Sequence, residues 1–258
     1  IPLICASIMS KKLAEGVDAL VLDVKFGRGA FMPSRTQARA LAAAMVAIGR
    51  AMGRPTRALL TSMEQPLGRA VGNAVEVVEA LEALQGRGPA DLMEVTYALG
   101  VHMLLLARVA SDPADARRRL EATIVSGAAL ARFRELVAAQ GGDPAVVDDY
   151  SRLPRAKHLR VVPAPRSGYV TDVDPMAIAQ AALRLGAGRS HAAASVDHAV
   201  GLTGLKKVGE TVQAGECLCT LHVRDNAHLD AALAPVTAAF KIGSHPVQPP
   251  PLIDELVE

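Results

Sequence analysis

Two polar side chains near the start of the sequence have the spacing of a small recognition site. Ser7 and Lys11 lie in SIMSKKLAEG (7–16), which predicts a helix, and residues four apart share one helical face. A hydroxyl donates or accepts a hydrogen bond and an ammonium offers three donors, so the pair could hold a polar ring edge that becomes negative during a reaction. A solvated helix face beside Lys12 explains the same spacing, and that alternative stays open.

A second candidate site lies in PLGRAVGNAVEVVEA (66–80). Glu79 falls on a predicted helix that follows a glycine-containing loop, and its carboxylate could point back at the carbonyl oxygens of that loop. Carbonyl oxygens together with one carboxylate suit a hard, weakly held cation. A surface glutamate on a helix is the alternative.

Other motifs favour structural roles. FGRGAF (26–31) has neither the dinucleotide-binding fingerprint nor the Lys-Ser/Thr ending of a P-loop, so it predicts a strand-to-helix turn. KKVGETVQAGECL (206–218) is similar to the hairpins of biotinyl and lipoyl carriers but lacks a lysine at the tight turn, which favours a structural hairpin. The seven histidines form no zinc-binding pattern, and the three cysteines form no CxxC pair and are expected to be small buried side chains in a reducing compartment.

The elements that must position these residues alternate between strand and helix. An apolar strand, a helix that starts with a capping box at Ser34 and Gln37, a second strand and a second helix favour an α/β fold whose parallel or mixed sheet is covered by helices. The predicted ranges are a strand at 18–24, a helix from 34 to about 52, a strand at 54–62 and a helix at 74–84.

The composition changes near residue 153. Residues 153–165 are rich in Pro, Arg and Lys and predict a linker or a hinge. The short strands and helices beyond them predict a C-terminal α+β domain with a hairpin-rich, barrel-sandwich-like sheet. The Pro-rich tail (245–258) is expected to be an extended strap. The predicted domains are 1–16, 17–153 and 154–258.

Composition restricts the function classes. The 258 residues carry 28 basic and 26 acidic side chains, a net charge of +2, so no overall field favours nucleic acid as a partner. No apolar run reaches the roughly 18 residues that a membrane span needs, and there is no secretion signal. We therefore expect a cytoplasmic location and no membrane partner.

Six stretches, taken together, resemble the pyrimidine-nucleoside phosphorylase and thymidine phosphorylase family. They occur in the family's order and cover essentially the entire chain. They are ASIMSKKLAEG, DALVLDVKFGRGAFM, LLTSMEQPLGRAVGNAVEV, GAGR (186–189), DHAVG and KKVGETVQAGE.

The resemblance implies an activity and a set of site residues. Family members are homodimers that use phosphate as co-substrate to split a pyrimidine nucleoside into the base and pentose 1-phosphate, without an organic cofactor. The resemblance implies that Ser7 and Lys11 contact the pyrimidine, as catalytic and substrate-binding residues. It also implies that the backbone carbonyls of Leu67 and Ala70, with the carboxylate of Glu79, hold a potassium-type cation.

One family feature is absent from the sequence. No His-Ser-Thr-Gly-Gly stretch, which binds phosphate in the family, occurs in these residues. We therefore expect a C-terminal portion of a longer enzyme that is inactive by itself, with residues 1–16 as the remnant of a helical lobe. Two alternatives stay open, a nucleoside-monophosphate phosphorylase and a non-catalytic binding or assembly module, as does the choice between uridine and thymidine.

Overall fold

The computed structural model describes residues 1–189 and 191–258. Eight α-helices and several small sheets occur in these ranges, which confirms a mixed α/β protein. The helices are α1 (Pro2–Ala14), α2 (Arg35–Ala51), α3 (Ala74–Leu84), α4 (Ala90–Leu106), α5 (Pro113–Val125), α6 (Ala128–Ala139), α7 (Pro175–Leu185) and α8 (Asn226–Ala239), with 3-10 turns at Pro144–Val147 and Tyr150–Arg152. The strands are β1 (Leu20–Phe26), β2 (Thr56–Ser62), β3 (Val71–Gly72), β4 (His158–Pro163), β5 (Gly168–Val173), β6 (Gly201–Thr203), β7 (Thr211–Val212), β8 (Cys217–Val223), β9 (Phe240–Gly243) and β10 (Ile253–Val257).

The chain forms two compact units, each built from separate segments. The first contains Ile1–Glu64, Asp91–Thr123 and Pro250–Glu258, and the second contains Gln65–Ala90 and Ile124–Pro249. This division does not follow the boundaries expected after residues 16 and 153. Residues 250–258 of the tail in particular belong to the first unit.

The sheet of the first unit is mixed. β1 and β2 are parallel, in the register Leu22↔Ala58 and Val24↔Leu60, and β10 is antiparallel to β2. These four apolar side chains share one core with α2, whose buried positions recur at helical spacing. The capping position of α2 is confirmed, since Ser34 Oγ accepts the amide of Gln37 at 3.3 Å.

The predicted helix 7–16 differs from α1 at both ends. α1 starts at Pro2, which suits the first turn because proline has no amide hydrogen to leave unpaired. It ends at Ala14, before Glu15 at the C-cap. Gly16 has a positive φ of 73°, which a right-handed helix does not allow. The reliable part of the prediction was the presence of the helix.

The prediction of a strap at the C-terminus is wrong for residues 253–257, which form β10. Ile253, Glu255 and Val257 take part in the antiparallel register with β2. Arg35 Nε donates to Asp254 Oδ2 at 2.5 Å, and Arg39 Nε donates to Glu255 Oε1 at 2.9 Å. The Pro-rich composition gave no sign of this strand, because its partner lies far away in the sequence.

The second unit contains two antiparallel sheets, with strand orders β3-β6-β8-β4 and β7-β5-β9. Their inner faces share one apolar core with α7 and α8. The predicted linker is wrong for 158–163, since these residues form β4 and pair with β8. The sequence VDHAVGL (196–202) also reads as a strand from its apolar residues, but β6 starts only at Gly201.

Candidate active site

Helix α1 presents the predicted base-binding pair to solvent. Cys5 and Met9 are 3% and 1% exposed and attach one face of the helix to the core, whereas Ser7 and Lys11 are exposed on the opposite face. The neighbouring Lys12 pairs with Glu15 at 3.2 Å. Within the described residues, neither Ser7 Oγ nor Lys11 Nζ has a hydrogen-bond or ion-pair partner, so both groups are available to a ligand.

Sequence reasoning missed a polar cluster near the carboxyl ends of β1 and β2. Lys25 Nζ donates to Asp23 Oδ2 at 2.5 Å and to Thr61 Oγ1 at 2.9 Å, and the Thr61 hydroxyl donates to Asp23 Oδ1. The three groups form a closed ring on the face of β1 opposite Leu22 and Val24. The available signal was the alternation in LVLDVKF, which places Asp23 and Lys25 on one face of the strand.

The glycine-containing segment 26–31 is a strand-to-helix turn, as predicted. Gly27 has a φ of 110°, and a Cβ there would lie 2.8 Å from Glu64 Oε1. Arg28 Nε donates to Glu64 Oε2 at 2.9 Å, which ties the loop after β1 to the loop after β2. Ligands of α/β sheets bind at the carboxyl ends of the strands, where these two loops lie.

Glu79 lies against the loop that contains Leu67 and Ala70. Its Oε1 accepts the amide of Arg69 at 2.8 Å. Gly68 has a φ of 69°, and a Cβ at this position would lie 2.2 Å from Glu79 Oε2. The carboxylate therefore packs against Gly68 in a space that the side chain of any other residue at position 68 would fill.

The turn at 205–210, between β6 and β7, contacts the same loop. The structural hairpin predicted for 206–218 is wrong, because β7 pairs with β5 whereas β8 pairs with β4 and β6. Lys207 is only 9% exposed, and its Nζ donates to the carbonyl of Gly68 at 3.0 Å and to that of Pro66. Arg69 donates to the carbonyl of Leu205 at 2.9 Å and forms an ion pair with Glu210. Burial raises the pKa of Glu210, but hydrogen bonds from Arg69 and the Lys207 amide outweigh it and leave that pKa below its usual range.

The remaining titratable groups of the described residues form no candidate metal centre. No cluster of three or more His, Cys, Asp or Glu side chains that could hold a metal occurs in residues 1–189 and 191–258.

The half-buried His102 and the buried Cys219 have shifted pKa values. Burial is the main cause that lowers the pKa of His102, and the nearby Arg57 lowers it further; His102 Nδ1 lies 3.3 Å from Arg57 Nη1. Burial raises the pKa of Cys219 to about 12. No described helix is long and apolar enough to cross a membrane.

Two models of known protein families match this chain. The model of the glycosyl transferase family, a/b domain, matches residues 2–130, and the chain belongs to this family. The model of the pyrimidine nucleoside phosphorylase C-terminal domain matches residues 169–243.

Two curated relatives that align with nearly the whole chain have a more specific name than the family model. The chain is 48% identical over 253 residues to the pyrimidine-nucleoside phosphorylase of Geobacillus stearothermophilus, an alignment that covers 98% of this chain and 58% of the relative. It is 46% identical over 249 residues to the pyrimidine-nucleoside phosphorylase of Staphylococcus aureus (strain USA300), covering 96% and 57%. The chain therefore spans somewhat more than half the length of these relatives.

Proposed function

We propose that the protein containing this chain is a pyrimidine-nucleoside phosphorylase, a pentosyltransferase of nucleoside salvage. The observation that supports this most directly is the exposure of Ser7 and Lys11, side by side on a helix that is anchored by Cys5 and Met9. The curated relatives carry the same function in their names over nearly the whole of this chain.

In the proposed reaction, phosphate and a pyrimidine nucleoside exchange one bond. The bond from the sugar's anomeric carbon to the pyrimidine nitrogen breaks, and a bond from that carbon to a phosphate oxygen forms. The base leaves with the electron pair, so negative charge develops on its ring nitrogen and carbonyl oxygens. Donors fixed at the base edge accelerate such a step only if they bind the developing charge more strongly than they bind the neutral base.

Ser7 and Lys11 would provide those donors. The Lys11 ammonium supplies a positive charge and up to three hydrogens, and the Ser7 hydroxyl supplies one directed hydrogen bond. Because neither group has a partner within the described chain, no existing bond has to break when a base arrives. Their attachment to a helix fixes their spacing in advance, which lowers the entropy lost on binding.

A potassium-type cation is the second part of the proposal. The carbonyls of Leu67 and Ala70 and the carboxylate of Glu79 would hold it, and the contact of Glu79 with Gly68 supports this assignment. Oxygen ligands suit a hard cation. When bound, the ion would supply a fixed positive charge that keeps the loop in place.

The finer architecture and the assembly are also proposals. We infer a barrel-sandwich-like sheet in the C-terminal part and a cytoplasmic location, both expected from the sequence, and a homodimer, which the family resemblance implies. Light scattering of the full-length protein tests the dimer, which would scatter with twice the mass of one chain.

Phosphorolysis of uridine and thymidine by the full-length protein tests the activity. Lys11→Ala should lower kcat/KM by on the order of 10²-fold or more, because an ammonium that binds the departing base acts mainly in the transition state. Lys12→Ala is the matched control, since Lys12 pairs with Glu15 on another face of the same helix and should keep nearly full activity.

Two results would contradict parts of this proposal. Unchanged kcat/KM in Lys11→Ala would remove Lys11 from the mechanism. A preference for uridine monophosphate over uridine, assayed in parallel, would instead favour a nucleoside-monophosphate phosphorylase.

A further inference from the structure

Three arginines line one cavity of the first unit, at the amino end of β2. Arg50 is in the last turn of α2, Arg54 lies in the connection that follows, and Arg57 is the second residue of β2. The cavity has a volume of about 400 Å³, which lies within the roughly 300–1,000 Å³ of small-molecule sites. None of the residues that the proposed reaction uses lines it.

The positive charges of this cavity exceed the negative ones. Glu258 is the only acidic residue of the described chain that lines it, and its Oε1 lies 2.8 Å from Arg57 Nε. The side chain of Arg54 forms an ion pair only with Asp18, at 3.8 Å, and that carboxylate is fully exposed to solvent. Arg50 has no hydrogen-bond or ion-pair partner within the described residues. Three arginines and one glutamate leave the lining side chains with two uncompensated positive charges.

A neighbouring histidine is uncharged in this arrangement. Arg57 Nη1 lies 3.3 Å from His102 Nδ1, and because a guanidinium can only donate, Nδ1 is the acceptor and carries no proton. Burial lowers the pKa of His102, and the charge of Arg57 lowers it further. The histidine can avoid a positive charge in this way, but an arginine side chain stays protonated. Repulsion among the three arginines is therefore relieved by an anion and not by the loss of a proton.

We propose that this cavity binds a small phosphate monoester through its phosphate group. A phosphate monoester carries close to two negative charges at neutral pH, which matches the net charge of the lining side chains. Each guanidinium presents a planar set of N–H donors that fits two phosphate oxygens at once. Arg50 and Arg54 have most of their donors available for this purpose, and Arg57 would share its donors with Glu258.

The size and the apolar part of the cavity favour a monoester over inorganic phosphate. A volume of 400 Å³ is more than ten times the roughly 30 Å³ that a water molecule occupies in the liquid, so an ion of five heavy atoms leaves much of it to solvent. Pro55 and Leu106 line the same cavity. An organic group attached to the phosphate would bury apolar surface against these two side chains, which adds to the binding free energy.

NMR of the full-length protein with isotope-labelled histidine rings tests the proposal. Phenyl phosphate is the probe, and the ring signal of His102 reports on this cavity because the ring is bonded to Arg57. The signal should shift and saturate with a Kd on the order of 1 mM or tighter. A His102 signal that no phosphate compound moves would overturn the proposal.

Parallel titrations identify the chemical class of the ligand. Glucose 6-phosphate and adenosine monophosphate distinguish a sugar phosphate from a nucleotide, since both carry the monoester group. Benzoate, with one negative charge, should bind more weakly than phenyl phosphate. Inorganic phosphate that binds as tightly as every monoester would show that the organic part contributes nothing, and the assignment to a monoester would be wrong.

Arg50→Gln is the first variant, because Arg50 has no partner whose loss would disturb the fold. It should weaken phenyl phosphate binding by about tenfold, the effect of losing one charge-assisted contact. Arg118→Gln is the matched control, since it removes the same charge from α5 of the same unit, where Arg118 pairs with Asp115 at 3.2 Å. Equal affinities for Arg50→Gln and Arg118→Gln would overturn the proposal.

Glu258→Gln should have the opposite effect. Its carboxylate competes with the phosphate for Arg57, so its neutralisation should make phenyl phosphate bind severalfold more tightly. Weaker binding in this variant would contradict the proposed competition and the charge balance on which the site rests. These titrations do not involve phosphorolysis, so their failure would leave the proposed phosphorylase activity unaffected.

Discussion

The glycine at position 68 offers the most direct test of the loop geometry. At a φ of 69° a non-glycine residue destabilises the folded state by about 1–2 kcal/mol. Replacing glycine also reduces the entropy of the unfolded chain, which offsets roughly 0.4–1 kcal/mol of this cost. Gly68→Ala has a second cost, because its Cβ would lie 2.2 Å from Glu79 Oε2. When Glu79 moves away, the Arg69 amide loses its acceptor, which costs about 1–3 kcal/mol. The free energy of unfolding should therefore fall by about 3 kcal/mol in total.

Gly204→Ala separates the two costs. Gly204 has a φ of 65° and belongs to the same unit, but a Cβ there has no atom within 4 Å. This variant should lose only about 1 kcal/mol, from the backbone conformation alone. The gap of about 2 kcal/mol between the variants corresponds to roughly 4–8 °C in Tm for a chain of this size.

Urea unfolding followed by circular dichroism measures both variants. In a Glu79→Ala background the carboxylate is absent, so Gly68→Ala should cost no more than Gly204→Ala. Equal losses for the two glycine variants in the unaltered background would show that Glu79 does not lie against Gly68. The contact between Gly68 and Glu79, on which the proposed cation site depends, would then be rejected.

Three further predictions concern charge, thiol reactivity and turnover. The folded-state pKa of Glu210 is lowered, so the ionised side chain stabilises the fold above its ordinary pKa of about 4.3, and this effect is lost as the pH falls through the folded-state pKa. Glu210→Gln should therefore lower Tm at pH 7 and reduce the further fall in Tm on acidification. A dependence of Tm on acid pH that is the same in the variant and the unaltered protein would contradict this. Cys219, with its pKa raised to about 12, should resist iodoacetamide at pH 8 in the folded protein and react in urea, and rapid alkylation without urea would contradict its burial. Residues 1–258 alone should release no base from uridine, because they contain no glycine-rich phosphate-binding stretch, and base release by that chain free of longer forms would refute the expectation.

Patterns within short segments of the sequence predicted helices and strands whose ends depend on neighbouring residues. Ser34 starts α2 as its capping pattern indicates, and the alternating helix and strand pattern placed β1 and β2 within two residues of their observed starts. The ends of α7 show local causes of the same kind in the structure: the Asp174 side chain accepts two amides as the N-cap, and Gly186 at the C-cap has the left-handed conformation that glycine adopts easily. These features depend on residues a few positions apart.

Strand pairing between distant segments was not predictable in the same way. β4 and β10 lie in stretches whose proline content indicated a linker and a strap, yet both pair with strands formed elsewhere in the chain. A strand that is stabilised by its neighbour carries little signal of its own, because the hydrogen bonds depend on the partner and not on the sequence of one strand.

The sequence alone determined which residues are candidates for chemistry. The i, i+4 spacing of Ser7 and Lys11 and the position of Glu79 after a glycine loop are properties of short segments, and the structure keeps both arrangements. Only the tertiary structure decided that Asp23, Lys25 and Thr61 form one hydrogen-bonded ring and that Lys207 reaches the carbonyls of Pro66 and Gly68. The physical reason is that burial and pairing depend on which distant segments of the chain come into contact. The free energy of those contacts cannot be read from one short segment, because it depends on residues elsewhere in the sequence.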